Sequence, residues 1–153
     1  MEMIRIWGAC FVATVAFCVL FHAPKKAVLL SAAIGVVAYA VYGMLRPRTG
    51  DTLGYFVAAC LIGGAAECCA RALRMPATIF ICASVIPLVP GLGLYRTMLS
   101  LVEGDLSAAG RLGADTLLAL GAIALAIAVT SLVARLIFSR KKFKKKRGIP
   151  HAS

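Results

Sequence analysis

Residues 83–95 read ASVIPLVPGLGLY, two prolines and two glycines inside one of the most apolar runs of the chain. A proline has no amide proton, and its ring clashes with the carbonyl four residues earlier in a helix. Pro87 is therefore expected to free the carbonyl of Ala83, and Pro90 that of Ile86. Each proline also disfavours the helical conformation in the residue before it, Ile86 or Val89, and Gly91 adds a permissive backbone. The expected result is a helix in two halves. The apolar run extends over about 77–101, so the break lies about ten residues from either end, close to the midplane of a bilayer at about 1.5 Å per residue. Interrupted backbone at that depth is tolerated only against protein or a watery cavity.

Such a break has a chemical use. The amides of Leu92, Gly93 and Leu94 and the positive end of the second half-helix point to a carboxylate. Carbonyls at the end of the first half suit an ammonium or a coupling cation. A zwitterion or small carboxylate fits both, as at the broken helices of secondary transporters. Pro87, Pro90, Gly91, Leu92, Gly93, Tyr95 and Arg96 are the candidate substrate-binding residues; Arg96 either holds a carboxylate or snorkels outward, and Tyr95, Tyr39 and Tyr42 also suit packing or an interface. The competing reading is a packing kink with no ligand.

Outward from this segment the chain is of one kind. Hydrophobic residues make up 61 % and charged ones 15 %, with a mean hydropathy of +0.92, where soluble domains have about 45–50 % and about 25 %. Apolar runs fall at about 4–21, 27–45, 53–70, 77–101 and 113–138, each near the ~20 residues that a crossing needs. The expected fold is all-α, a polytopic membrane helical bundle of about five transmembrane helices with one broken. Residues 1–139 form a single transmembrane domain and 140–153 a basic cytoplasmic tail. The segment FHAPKK lacks a small residue where a signal peptidase needs one, so the first run is read as an uncleaved span. RPRTGD at 46–51 reads as a turn, Pro76 as first-turn proline, and EGDLSAAGR at 103–111 as a polar loop.

The net charge of +11 is concentrated: Arg135 and the Arg140–Arg147 run supply eight of the 17 cations. This is a flank for anionic lipid headgroups, not a nucleic-acid surface. Five crossings with an outside amino terminus put twelve Lys and Arg inside and five outside. If the broken run dips in and returns, four crossings give eleven against six; five is preferred, and both leave the carboxyl end in the cytoplasm.

Ala59, Gly63 and Glu67 share one helical face, with Gly64 beside them, and Gly35 shares one with Tyr39, so close helix packing is expected. Glu67 and Asp115 are the candidates for ion coupling, because carboxylates near membrane depth are costly; a local pair of Glu67 with Arg71 and a helix-start role for Asp115 are the plainer readings. His22 borders a loop. Six cysteines lie inside apolar runs without metal-ligand spacing and read as packing residues, the vicinal Cys68–Cys69 pair alone hinting at thiol chemistry. HExxH, G-x-S-x-G and P-loop motifs are missing, so no enzyme, metal or cofactor is expected.

The segment FICASVIPLVPGLGLYRTMLSLVEGD, 80–105, resembles the hallmark of the threonine/serine exporter family (ThrE type) in its short, YjjB-like form: Ile86-Pro87, two apolar residues, Pro90-Gly91 and then Tyr95. The entry to the second run, FHAPKKAVLL, is similar as well. The resemblance implies an inner-membrane secondary exporter of small carboxylates driven by the proton motive force, with threonine and serine first and a dicarboxylate such as succinate as the alternative. It further implies that this chain is the carboxyl-terminal-half subunit, working with a larger amino-terminal-half chain and open to forming a homo-oligomer. A non-transporting assembly subunit is the reading from a different class.

Overall fold

The structure, a computed structural model, describes residues 2–146, with side chains from 5 to 137. Among the described residues it contains helices only: α1 Glu2–Leu20, α2 Lys25–Thr49, α3 Asp51–Leu73, α4 Ala77–Val85, a 3-10 turn Ile86–Leu88, α5 Gly91–Val102 and α6 Leu106–Lys146. α2, α3 and the Leu106–Ile137 part of α6 are each long and apolar enough to cross a membrane, and α4 and α5 together pass as a fourth span bent by 53°. The apolar part of α1, Arg5–Leu20, is shorter, about 24 Å at 1.5 Å per residue. The basic run from Arg140 lies outside the residues whose side chains are described, and 147–153 lie outside the described residues altogether.

Helix ends follow from local chemistry, and three differ from the sequence reading. α2 runs through Pro47 to Thr49, and Gly50 at φ 84° makes the entire turn into α3; RPRTGD is thus mostly helix. Arg46 secures the junction through Nε to Asp51 Oδ1 at 2.8 Å. Pro76 stands just before α4, in extended conformation, rather than in its first turn. The expected polar loop shrinks to 103–105, because Asp105 caps α6 by accepting from the Ala108 amide at 2.9 Å, after Gly104 turns the chain at φ 81°.

Buried residues fall in stripes of helical spacing. α2 buries Ala27, Ser31, Gly35, Ala38 and Tyr42, and α3 buries Ala58, Ala59, Ile62, Gly63, Ala66 and Ala70. These stripes are small, so backbones approach closely, as helices in lipid do. A Cβ on Gly35 would meet Thr14 Oγ1 at 3.2 Å, the Ser84 carbonyl at 3.3 Å and Pro87 Cγ at 3.5 Å; α1, α4 and the break all converge there. Ser84 Oγ adds an interhelical hydrogen bond to the Ser31 carbonyl at 2.9 Å. Gly63 is tighter still, since a Cβ there would overlap Thr130 Oγ1 of α6. The expected small-residue face of α3 is therefore the α6 contact.

These contacts fix direction. Ser31 and Gly35 of α2 meet Ser84 and Pro87 in that order, so α2 and α4 run parallel. A groove joins Leu53 and Phe56 of α3 to Leu118 and Leu125 of α6, and Gly63 meets Thr130 farther along, so α3 and α6 are parallel too. The α4–α5 pair must then travel the length of the bundle between them. That direction is the one the five-crossing reading uses; by length and composition the described helices supply three spans, or four with the bent pair counted as one.

Gly63→Ala is expected to cost about 1–3 kcal/mol through overpacking, read as a lowered unfolding temperature in detergent. Thr130→Ala should restore only part of it, because Thr130 Cβ itself lies 3.0 Å from the added carbon.

Candidate functional site

The break is built differently from two freed carbonyls. Ile86, before Pro87, stays helical at φ −53°, ψ −50°, and the chain tightens into the 3-10 turn instead of opening. The Val89 amide donates to the Ile86 carbonyl at 3.2 Å, so that carbonyl is not released. The true interruption is one step later. Val89 is extended, at φ −61°, ψ 129°, and Pro90, at φ −75°, ψ 61°, forms an inverse γ-turn closed by the Gly91 amide donating to the Val89 carbonyl at 2.7 Å. The Leu94 amide donates to the Pro90 carbonyl at 3.2 Å. Of the three amides expected to be open, Leu92 and Gly93 remain without a backbone acceptor and Leu94 does not.

Two residues hold this geometry. Leu88, 1 % exposed, plugs into the core with Ile34, Ala38, Tyr42, Ala58, Ile62 and Ile123, while Pro90 is buried beneath the start of α5. Beyond them α5 leaves the bundle. Among the described residues it packs only against α6, and it has no buried residue of its own. Gly93 sits on Thr116, where a Cβ would come within 2.5 Å of Oγ1, and Gly113 faces Thr97. The hydroxyls of Thr97 and Thr116 turn back onto Gly93 and Leu112 carbonyls at 2.8 and 2.7 Å, which leaves the contact to shape alone.

Because α5 stays with α6, a cavity of about 590 Å³ opens between that hairpin and the ends of α2 and α3. Its floor is the break, Pro87 to Gly93; its walls carry Tyr39, Tyr42 and Arg46 from α2, Asp51, Thr52 and Tyr55 from α3, Arg96 from α5, and Asp115, Thr116 and Ala119 from α6. Tyr42 and Tyr55 stack with centroids 4.3 Å apart, and Tyr39 tilts against Tyr42 at 6.0 Å. Gly54 makes room, since a Cβ there would press on the Tyr42 ring at 3.2 Å. Arg46 pairs with Asp51, both more than half exposed, so the mouth lies at the Gly50 end. Neither Arg96 nor Asp115 makes an ion pair with any described residue.

The fold thus brings together Pro87, Pro90, Gly91, Leu92, Gly93, Arg96 and Asp115 from the expected set. Tyr95 is 64 % exposed and outside the lining. Glu67 is also apart: its Oε2 pairs with Arg71 Nη1 at 2.7 Å, and Arg71 Nη1 further donates to the Glu67 carbonyl at 2.8 Å, near the other end of α3. The tyrosines of the wall, Arg46 and Asp51 were not expected here. Their only sequence signal is the i, i+3 and i, i+7 spacing of Tyr39, Tyr42 and Arg46 on one face of α2. Among the described residues no three His, Cys, Asp or Glu gather as a metal site.

Residues 7–133 match the model of the family described as threonine/serine exporter ThrE, a span that includes every residue of the cavity. No curated protein and no solved structure matches. The chain therefore belongs to the threonine/serine exporter family, a family of membrane transporters of the amino-acid export type.

Replacing Gly93 by Val should force Thr116 aside and part α5 from α6. In a background without native cysteines, an Ala119→Cys probe should then react several times faster with a maleimide; an unchanged rate would mean the two helices do not meet at Gly93.

Proposed function

We propose that this member of the threonine/serine exporter family is the short subunit of a secondary exporter of small carboxylates, threonine and serine first, and that the cavity at the break is its substrate site. The observation that carries the reading is the convergence on one cavity, at the interruption, of a guanidinium and a carboxylate that pair with no described residue and of two amides without a backbone acceptor among them. The α-carboxylate goes to the amides of Leu92 and Gly93 and to Arg96, and the ammonium to Asp115 and the tyrosine wall. The volume is in the range of small-molecule sites, about 300–1,000 Å³.

The distribution of Lys and Arg supports an orientation in an inner membrane with the Gly50 end outside, the carboxyl end cytoplasmic and the basic tail on anionic lipid. In that orientation the cavity is the outward-facing, releasing arrangement. Asp115, rather than the paired Glu67, is the group to carry a proton in coupling to the proton motive force. The larger amino-terminal-half chain supplies the remaining helices. Succinate is the second substrate, because Arg46 puts another cation in the same cavity.

Efflux from cells loaded with threonine, serine or succinate tests this, with the chain alone, with a candidate larger half, and with that pair carrying Pro90→Ala and Gly91→Leu. Efflux should need both chains and fall by at least about tenfold in the altered pair at equal abundance, the scale of one lost charged hydrogen bond. Asp115→Asn should lower efflux of threonine and serine through the lost ammonium contact and leave what remains insensitive to the pH gradient. Unchanged efflux in the altered pair would reduce the break to a packing feature.

A further inference from the structure

Arg46 has the marks of more than a turn staple. Its Nε is committed to Asp51 at 2.8 Å, and a guanidinium has five N–H donors in a rigid plane. The terminal nitrogens make no other hydrogen bond among the described residues, and the side chain lines the cavity beside the stacked Tyr42 and Tyr55. Asp51 thus fixes the plane of a guanidinium whose fork remains open. Across the cavity stands Arg96, on a helix that has no close contact with α2 or α3. The charged lining consists of these two cations and of Asp51 and Asp115.

From this we infer that Arg46 is a second carboxylate-binding group, and that a carboxylate held between Arg46 and Arg96 draws the α5 wall toward the α2 wall. The inference deepens the substrate-site reading above and rests on it. Two guanidinium groups that face one cavity repel each other, and an anion that takes a charge-assisted hydrogen bond from each joins them. The ligand itself then supplies the contact between α5 and the body of the bundle that the protein lacks. Asp51 is a positioning residue: it orients Arg46 and touches no substrate. The chemistry recognised is the carboxylate, so an ester of the same amino acid is not held.

The test separates this role from a staple. Full-length protein in lipid nanodiscs is titrated with threonine, serine, succinate and threonine methyl ester, with the unfolding temperature as readout, and the same variants are assayed for efflux in cells. The parent should be stabilised by the three carboxylates and not by the ester. Arg46→Gln and Arg96→Gln should each weaken binding about tenfold or more, the worth of a charged hydrogen bond, Arg46→Lys less, and Asp51→Asn least. The decisive variant is the exchange Arg46→Asp with Asp51→Arg, which restores the ion pair across Gly50 and removes the cation from α2. Binding should stay lost while the unfolding temperature without ligand returns to the parent value.

Recovery of binding in the exchanged variant, or equal losses in Arg46→Gln and Asp51→Asn, would make Arg46 a staple and overturn the inference. So would a parent that no carboxylate stabilises. Carboxylate binding without efflux, even beside a larger half, would keep the inference and sink the exporter reading; efflux that is indifferent to Arg46→Gln would do the reverse.

Discussion

Everything in this bundle is arranged around a stretch of backbone, Ile86 to Gly91, that interrupts a helix in the middle of an apolar run. Pro87 and Pro90 withhold two amides, and in hydrocarbon an unpaired carbonyl costs several kcal/mol. The chain limits the damage by tightening. A 3-10 turn uses the Ile86 carbonyl, and the γ-turn at Pro90 uses that of Val89. The amides of Leu92 and Gly93 stay without a backbone acceptor, and both residues line a cavity with charged and phenolic walls. The interruption and the cavity are thus two consequences of one constraint.

The break would be of little use on a helix packed all round. Close approach at Gly35 and Gly63, where a side chain has no room, binds α1 to α4 and α6 into a body, and Leu88 locks the first half of the broken span into it. After the γ-turn the second half is handed to α6 alone through Gly93 and Gly113. The 53° bend separates a helix that belongs to the core from one that belongs to a hairpin. Between them lies the cavity, bounded by a wall of stacked tyrosines and a wall that, among the described residues, only α6 supports.

Charge follows the same division. Glu67 and Arg71, four apart on one helix, satisfy each other locally, and a pair of that kind has little left to offer a substrate. Arg46 and Asp51 are paired as well, but across a turn and with most of the guanidinium open. Arg96 and Asp115 are brought to one cavity and left unpaired with any described residue. The chain's membership of the threonine/serine exporter family motivates the proposed use of this arrangement, since a zwitterionic amino acid carries the complement of both charges.

The sequence by itself determined the class of fold and the position of the break. A 61 % hydrophobic chain must satisfy its backbone in lipid as helices or a closed barrel; apolar runs of about 20 residues select the helix, and two prolines three apart cannot be absorbed into it. The small-residue faces of α2 and α3 and the Glu67–Arg71 pair were legible too, because helical spacing is a local rule. Tertiary structure decided the rest. Which amides stayed open depended on how Ile86 and Val89 rotated, and Ile86 kept its helical conformation. That Tyr95 faces away while Arg46, Asp51 and the tyrosines of α2 and α3 line the cavity depended on α5 packing with α6 and not with α2. That choice is made by the shapes of Gly93, Thr97, Gly113 and Thr116 meeting across the hairpin. Residues from four helices share one cavity only after those helices are placed, and spacing along a chain carries no record of it.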